Sequence, residues 1–294
     1  MTSTLNDKVV IVTGASRGIG EAIARRFASD GARVAVSART VNEGDHRLLP
    51  GSLTGTVQAI ADAGGHAISV PADLAKKDDR HRLIETVERE LGPIDVLVNN
   101  AAVSKHKQIY HLSADEAEAV MRVNFLSSMW TTLAAIPYML RQNGGTIVNV
   151  SSFAAKVAPP REPVYAASKA AMNSFSEGLW NDLAGSNIHV AIVNPGPIDT
   201  EIWDKEDEPV AYHGKKYPPE VVTDAIFEAI DKRRYEITVP KRNPMLLTAR
   251  VLRLFFPSLL RFGMAKSDPV PAEVVERARA RAAKGKRLGD LSDG

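Results

Sequence analysis

Tyr165 and Lys169 stand four residues apart in the run Tyr165-Ala166-Ala167-Ser168-Lys169, and Ser152 lies thirteen residues upstream. On a helix, positions i and i+4 share one face, so the phenol and the ammonium lie within mutual reach. An isolated phenol holds its proton too tightly to be a useful base at neutral pH. A neighbouring cation favours the phenolate and lowers the tyrosine pKa, so the pair can exchange protons near neutrality. Ser152 adds a hydroxyl able to hold a carbonyl or alcohol oxygen in line with that phenol. The plain alternative is a half-buried tyrosine and a surface lysine on one helix. The spacing alone does not separate the two.

A second constellation lies near the N-terminus. Val9-Val10-Ile11-Val12 reads as a buried strand and runs directly into Thr13-Gly14-Ala15-Ser16-Arg17-Gly18-Ile19-Gly20, which opens an amphipathic helix. The three glycines allow a tight turn and close approach of the backbone to a pyrophosphate, which free N–H groups and the helix dipole then bind. A glycine turn between a strand and a helix is the setting that dinucleotide binding requires. Here the spacing is GxxxGxG rather than the commoner GxGxxG.

Taken in order along the chain, several motifs resemble the short-chain dehydrogenase/reductase family in its shorter, single-domain form, over residues 5 to 240. They are the glycine turn at 13–20, Ala72-Asp73-Leu74, Asn99-Asn100-Ala101-Ala102, Asn124, Ser152, Tyr165 with Lys169, and Asn194-Pro195-Gly196-Pro197-Ile198-Asp199-Thr200. The resemblance implies a catalytic set of Asn124, Ser152, Tyr165 and Lys169. It implies that the dinucleotide is held by Gly14, Ser16, Arg17, Gly18, Ile19, Gly20, Arg39, Asp73, Leu74, Asn100, Ala101, Tyr165, Lys169, Pro195, Gly196, Ile198 and Thr200. Within that set Asp73 bonds the adenine amine, while Thr200 and the Ile198 backbone hold the nicotinamide carboxamide. Asn99 steadies the sheet, and Asn124 holds a water that links the lysine to solvent. Ala102 departs from the family's usual glycine and adds a methyl group to the pocket floor.

The end of the second strand, Val34-Ala35-Val36-Ser37-Ala38-Arg39, bears on cofactor choice. NAD-preferring enzymes place a carboxylate there for the ribose hydroxyls. This chain has Ala38 and then Arg39, with Arg17 as a second guanidinium, a combination suited to a 2′-phosphate. NADP(H) is therefore expected over NAD(H), the alternative being that both arginines are merely solvated. The resulting expectation is an NADP(H)-dependent oxidoreductase that interconverts a ketone or aldehyde and an alcohol. Tyr165 is its acid/base. The pocket walls Val103, Phe153, Ala154, Pro197 and Trp203 imply a hydrophobic small substrate. Residues 200–217 resemble the family's mobile lid. A catalytically silent NADP(H)-binding regulatory or scaffold protein is the alternative from another class, and fold alone does not separate the two.

Strands are predicted at 8–13, 33–38, 66–70, 94–98, 145–150, 188–193 and 235–239. Helices are predicted at 18–30, 53–63, 78–91, 114–142, 163–184 and 219–232. Such alternation specifies an α/β fold, a single Rossmann-like doubly wound domain of about seven parallel strands flanked by helices. Residues 1–240 are expected to form this domain and 241–294 a basic helical extension. The chain has 294 residues, 44% hydrophobic and 24% charged, and no cysteine, so disulfides and thiolate metal sites are excluded and no metal site is expected. With no apolar start segment and no run of eighteen apolar residues, a cytoplasmic location is expected. Helices 114–142 and 163–184 resemble the family's pairing surfaces, implying a homodimer or homotetramer.

Two features exceed that outline. Residues 40–51 form a long connection containing His46, Leu48 and Leu49. The extension from Lys241 carries twelve Lys or Arg against five Asp or Glu, whereas residues 1–240 carry 25 against 30. Within it, 245–264 is strongly apolar, and Pro257 is expected to kink or split the helix. It can pack over its own cleft, against another subunit, or in a membrane interface, expected in that order. Nucleic acid is not expected, since the motifs and aromatic platforms of a binder are missing. Lys105, His106 and Lys107 read as a solvated loop or as recognition charges.

Overall fold

The computed structural model describes residues 5–46, 49–200 and 214–283. Seven strands form one sheet: β1 Val9–Thr13, β2 Arg33–Ser37, β3 His66–Ser69, β4 Val96–Asn99, β5 Gly145–Val150, β6 Ile188–Pro195 and β7 Glu236–Val239. Their order is β3-β2-β1-β4-β5-β6-β7, and every pairing is parallel. Strand order reverses between β1 and β4, which opens a crevice beyond their carboxyl ends.

The β-branched runs are buried on both faces, as parallel sheets require. Val10 and Val12 point to one side, where Ile23 and Phe27 of α1 (Gly18–Ser29), Ile60 of α2 (Leu53–Asp62) and Ile226 of α8 (Glu220–Asp231) cover them. Val9 and Ile11 point to the other, against Leu83 and Val87 of α3 (Lys77–Glu90), Met139 of α5 (Ser127–Arg141) and Leu179 of α7 (Pro163–Asp182). The alternation along β1 thus builds two cores from one strand.

The helix predicted over 114–142 is interrupted. It comprises α4 (Ala114–Met121), a π-turn at Arg122–Leu126, and α5. Ser113 starts it with a reciprocal capping box to Glu116. A short helix not anticipated from the sequence, α6 (Ala154–Val157), follows β5 and ends at Ala158 in the left-handed conformation, φ 47°. In the extension, Pro257 splits the apolar stretch into α9 (Pro244–Phe255) and α10 (Pro257–Ser267), and α11 (Ala272–Ala283) follows. Among the described residues, no helix is long and apolar enough to cross a membrane.

Candidate active site

The glycine turn closes on the β4 loop so tightly that side chains are excluded. Gly14 has φ +65°, and a Cβ there would fall 2.7 Å from the Cα of Ala101; one on Gly20 would fall 2.1 Å from the Gly14 carbonyl oxygen. Thr13 and Asn100 fasten the two segments. The Thr13 hydroxyl donates to Val98 O (3.2 Å) and accepts from the backbone N–H groups of Asn100 (3.0 Å) and Ala101 (3.2 Å). Asn100 Nδ2 donates back to the carbonyls of Thr13 (3.0 Å) and Gly14 (3.2 Å). The result is a backbone cradle at the strand-order reversal, with α1 starting beneath it.

From this cradle a cleft of about 1340 Å³ runs to the end of β5 and under the C-terminal extension. Gly14, Ser16, Arg17, Gly18, Ile19, Gly20, Arg39, Asp73, Leu74, Asn100, Ala101, Pro195, Gly196, Ile198 and Thr200 all line it. So do Ser152, Tyr165 and Lys169, and the expected substrate-side residues Val103, Phe153, Ala154 and Pro197. Trp203 and residues 201–213 of the expected lid over 200–217 lie outside the described residues, as does Leu48.

Ser152 and Tyr165 meet at the cleft floor. The Ser152 hydroxyl lies close enough to the phenol to favour its ionised form and accepts from Ala154 N–H at 3.1 Å. Lys169 is buried, and its Nζ donates to Val150 O at 2.9 Å, 5.9 Å from the centre of the Tyr165 ring. The electrostatics differ from the sequence expectation. Burial, followed by the Glu162 carboxylate, pushes the Tyr165 phenol above its ordinary value, with the Ser152 hydroxyl opposing. Burial lowers Lys169 to about 7. Desolvation is the largest cause acting on both groups. Tyr165 is partly exposed to the cleft, so water there moderates the rise.

Asn124 does not line the cleft and does not touch Lys169. Sitting in the π-turn and fully buried, it accepts from Val103 N–H (2.8 Å) and donates to Val103 O (2.9 Å) and to Ser168 Oγ (3.1 Å). Its side chain joins the β4 loop to the helix bearing Tyr165 and Lys169. Both ends of its amide are engaged in this anchoring contact.

Other residues are visible only in three dimensions. Asn149 faces Asn99 across β4 and β5, accepting its amide at 2.8 Å and donating to Ser176 Oγ at 2.8 Å. Asp79 accepts from the Asp73 backbone N–H at 2.8 Å and so sets that turn at the cleft. His106 is not solvated; it is buried, with Nε2 2.7 Å from Glu162 and 3.2 Å from Ser104 Oγ. Lys107 pairs with Glu116 at 2.8 Å and Lys105 with the same carboxylate at 3.7 Å.

At the adenosine end, Arg17 is engaged by the 40–51 connection. It donates to Pro50 O (2.6 Å), Gly51 O (2.9 Å) and Thr40 Oγ1 (3.4 Å). Arg39 is exposed at the cleft, beside the buried Ser37, whose Oγ has no hydrogen-bond partner among the described residues. An orphaned hydroxyl, an exposed guanidinium and a glycine cradle that a Cβ would fill together fit a nicotinamide dinucleotide. Ser37 could have been found from its position at the end of the strand.

The extension roofs the far end of the cleft. Leu246 of α9 is buried, and a Cβ on Gly196 would fall 2.9 Å from its Cδ1. Asp268, after α10, is latched by Arg161 (Nε at 2.8 Å, Nη2 at 3.2 Å) and by Gln108 (3.0 Å).

A family model described as short chain dehydrogenase matches residues 8–211. A ketoacyl reductase, HetN, of Nostoc sp. is 30% identical over 250 residues, spanning 83% of this chain and 82% of that protein. A short-chain dehydrogenase/reductase from Burkholderia phymatum, solved with NAD, superposes with a TM-score of 0.76 at 27% identity, over 92% of this chain and 100% of that one. A metagenomic short-chain oxidoreductase, solved with NADP, gives a TM-score of 0.67 at 29% identity, over 81% and 98%.

Proposed function

The chain belongs to the short-chain dehydrogenase/reductase family, oxidoreductases acting on CH–OH and C=O groups with nicotinamide cofactors, and from that premise we propose that it is an NADP(H)-dependent enzyme interconverting a ketone or aldehyde and an alcohol on a hydrophobic small molecule. The observation that supports this reading is that Ser152, Tyr165 and Lys169 line the same cleft that the glycine cradle opens.

A bound nicotinamide supplies or accepts the hydride. The chain supplies the rest. Ser152 Oγ and Tyr165 Oη hold the substrate oxygen, and in reduction the phenol gives it a proton as negative charge develops. Because burial and Glu162 hold that proton on, Tyr165 reaches the carbonyl as an acid. In oxidation it takes the proton back. Lys169, with a pKa near neutrality of about 7, is suited to restoring a proton to the phenol. Asn124 positions the helix that carries both. The apolar walls at Val103, Phe153, Ala154 and Pro197, closed by Leu252 and Met264, exclude water and favour a hydrophobic substrate.

Preference for NADP(H) over NAD(H) is supported by Arg39, by Ser37 and by the lack of any carboxylate among Ser37, Ala38, Arg39 and Thr40. The relatives bind one or the other, so the preference rests on these residues. Self-association is supported by Leu133 and Leu140 on α5 and Trp180 on α7, large apolar side chains exposed on the surface. The test is consumption of NADPH with a panel of apolar ketones and aldehydes, wild type against Tyr165→Phe. Turnover by wild type and loss of about a hundredfold or more in the variant is expected. Equal rates in the two proteins would remove Tyr165 from the reaction.

A further inference from the structure

Packing over the cleft uses only one side of α9. Leu246, Ala249 and Leu252 face inward to the cleft, whereas Leu247, Val251, Leu254 and Phe255, spaced i, i+4, i+7 and i+8, form a second apolar stripe on the outside. Leu254 is 67% exposed, Phe255 71%, and Phe262 of α10 59%. Phe256 at the junction joins the two helices into one outward apolar face. Nothing from the protein's own described residues covers it, and contiguous exposed apolar surface of this kind marks an interaction site.

Charge identifies the occupant. Residues 241–267 contain six Lys or Arg and no Asp or Glu. Lys241 turns to Glu228, and among the described residues Arg242, Arg250, Arg253, Arg261 and Lys266 have no carboxylate partner. Lys266 lies over the Phe262 ring at 4.4 Å, its stem along the apolar surface and its charge at the edge. A self-complementary contact with a second copy would set this acid-free face against itself, which like charge disfavours. An anionic lipid surface meets both requirements: it takes the aromatic and aliphatic side chains into the acyl boundary and the rim of cations at the headgroups.

We propose that the outer face of α9–α10 docks this protein on an anionic membrane surface as a peripheral, non-spanning contact. The same two helices wall the cleft on their inner side, so docking sets that wall against the bilayer. One consequence, which unlike the docking rests on the proposed reaction, is that an apolar substrate dissolved in the membrane has a short path to Tyr165.

The test is sedimentation of the full-length protein with vesicles of phosphatidylcholine alone and of phosphatidylcholine with phosphatidylglycerol. Wild type is expected to pellet with the anionic vesicles and to remain largely in solution with the neutral ones. Leu254→Gln/Phe255→Gln/Phe262→Gln should lower vesicle affinity by about tenfold or more, with an unchanged melting temperature. Arg250→Gln/Arg261→Gln, which leaves the apolar face intact, should lower it about fivefold per charge and flatten the salt dependence. Three outcomes overturn the proposal: wild type staying in solution with anionic vesicles, the arginine variant binding like wild type, or a soluble oligomer that the triple substitution dissociates while no vesicle is bound. None of these readouts involves turnover, so failure of the docking and failure of the proposed reaction are told apart.

Discussion

The Glu162 carboxylate meets the buried His106 imidazole at 2.7 Å, three residues ahead of Tyr165 in the chain. This pairing fixes a negative charge beside the phenol, where it opposes ionisation. The charge on residue 162 should therefore tune the pH at which the phenol changes state.

Glu162→Gln removes a contribution that raises the phenol, so the variant's tyrosine should ionise at lower pH. In alcohol oxidation, where the phenolate is the base, the rising limb of kcat/KM should move down by about half to one pH unit. The falling limb of carbonyl reduction should move the same way. Profiles of both directions check this, and a limb that moves upward or stays in place contradicts it.

Lys169 is a basic group with its folded value depressed from 10.5 to about 7. Between those values the unfolded chain binds more protons, so stability attributable to this residue rises with pH from about 7 towards 10.5 and is lowest below that window. Lys169→Met removes the dependence. Its stability relative to wild type should fall by about 3–4 kcal/mol between pH 7 and pH 10. Denaturant unfolding at several pH values measures this, and parallel pH curves would show that Lys169 is not desolvated.

Arg39→Ala should lower kcat/KM for NADPH by about tenfold to a hundredfold, the worth of a charge-assisted hydrogen bond, and leave the value for NADH within about twofold. Steady-state kinetics with each cofactor decide it. Equal losses with both would move the residue from cofactor discrimination to general structure.

Asn149→Ala strips a partner from Asn99, whose Oδ1 already lacks one among the described residues, and from Ser176. A cost of about 1–3 kcal/mol in unfolding free energy is expected, with the sheet intact. A change below about 0.5 kcal/mol would show that the ladder is replaced by water.

Much of the architecture was legible because it is local. The runs from Val9 to Val12 and from Ile188 to Val193, the glycine turn and the breaks between them specify strands and helices through periodicity and backbone sterics, and the observed bounds differ by a residue or two. Helix 114–142 was not legible in full, since no residue in it announces a π-turn at Arg122–Leu126. Asn149 gave no signal either; its importance comes from lying opposite Asn99 in a strand register set by the sheet.

The order of motifs along the chain determined which groups line the cleft, because a turn after a parallel strand has one end of the sheet on which to lie. What those groups do there was decided by packing between distant segments. Lys169 donates a hydrogen bond to Val150 O, Asn124 spends its amide on Val103 and Ser168, and His106 is buried against Glu162. Desolvation and hydrogen-bond geometry depend on every neighbour in space, so a spacing of four residues places a cation near a phenol without fixing which way its proton points. The extension follows the same rule. Its composition marked a helix with too much apolar surface, and only the folded chain divided that surface between the cleft and the outside.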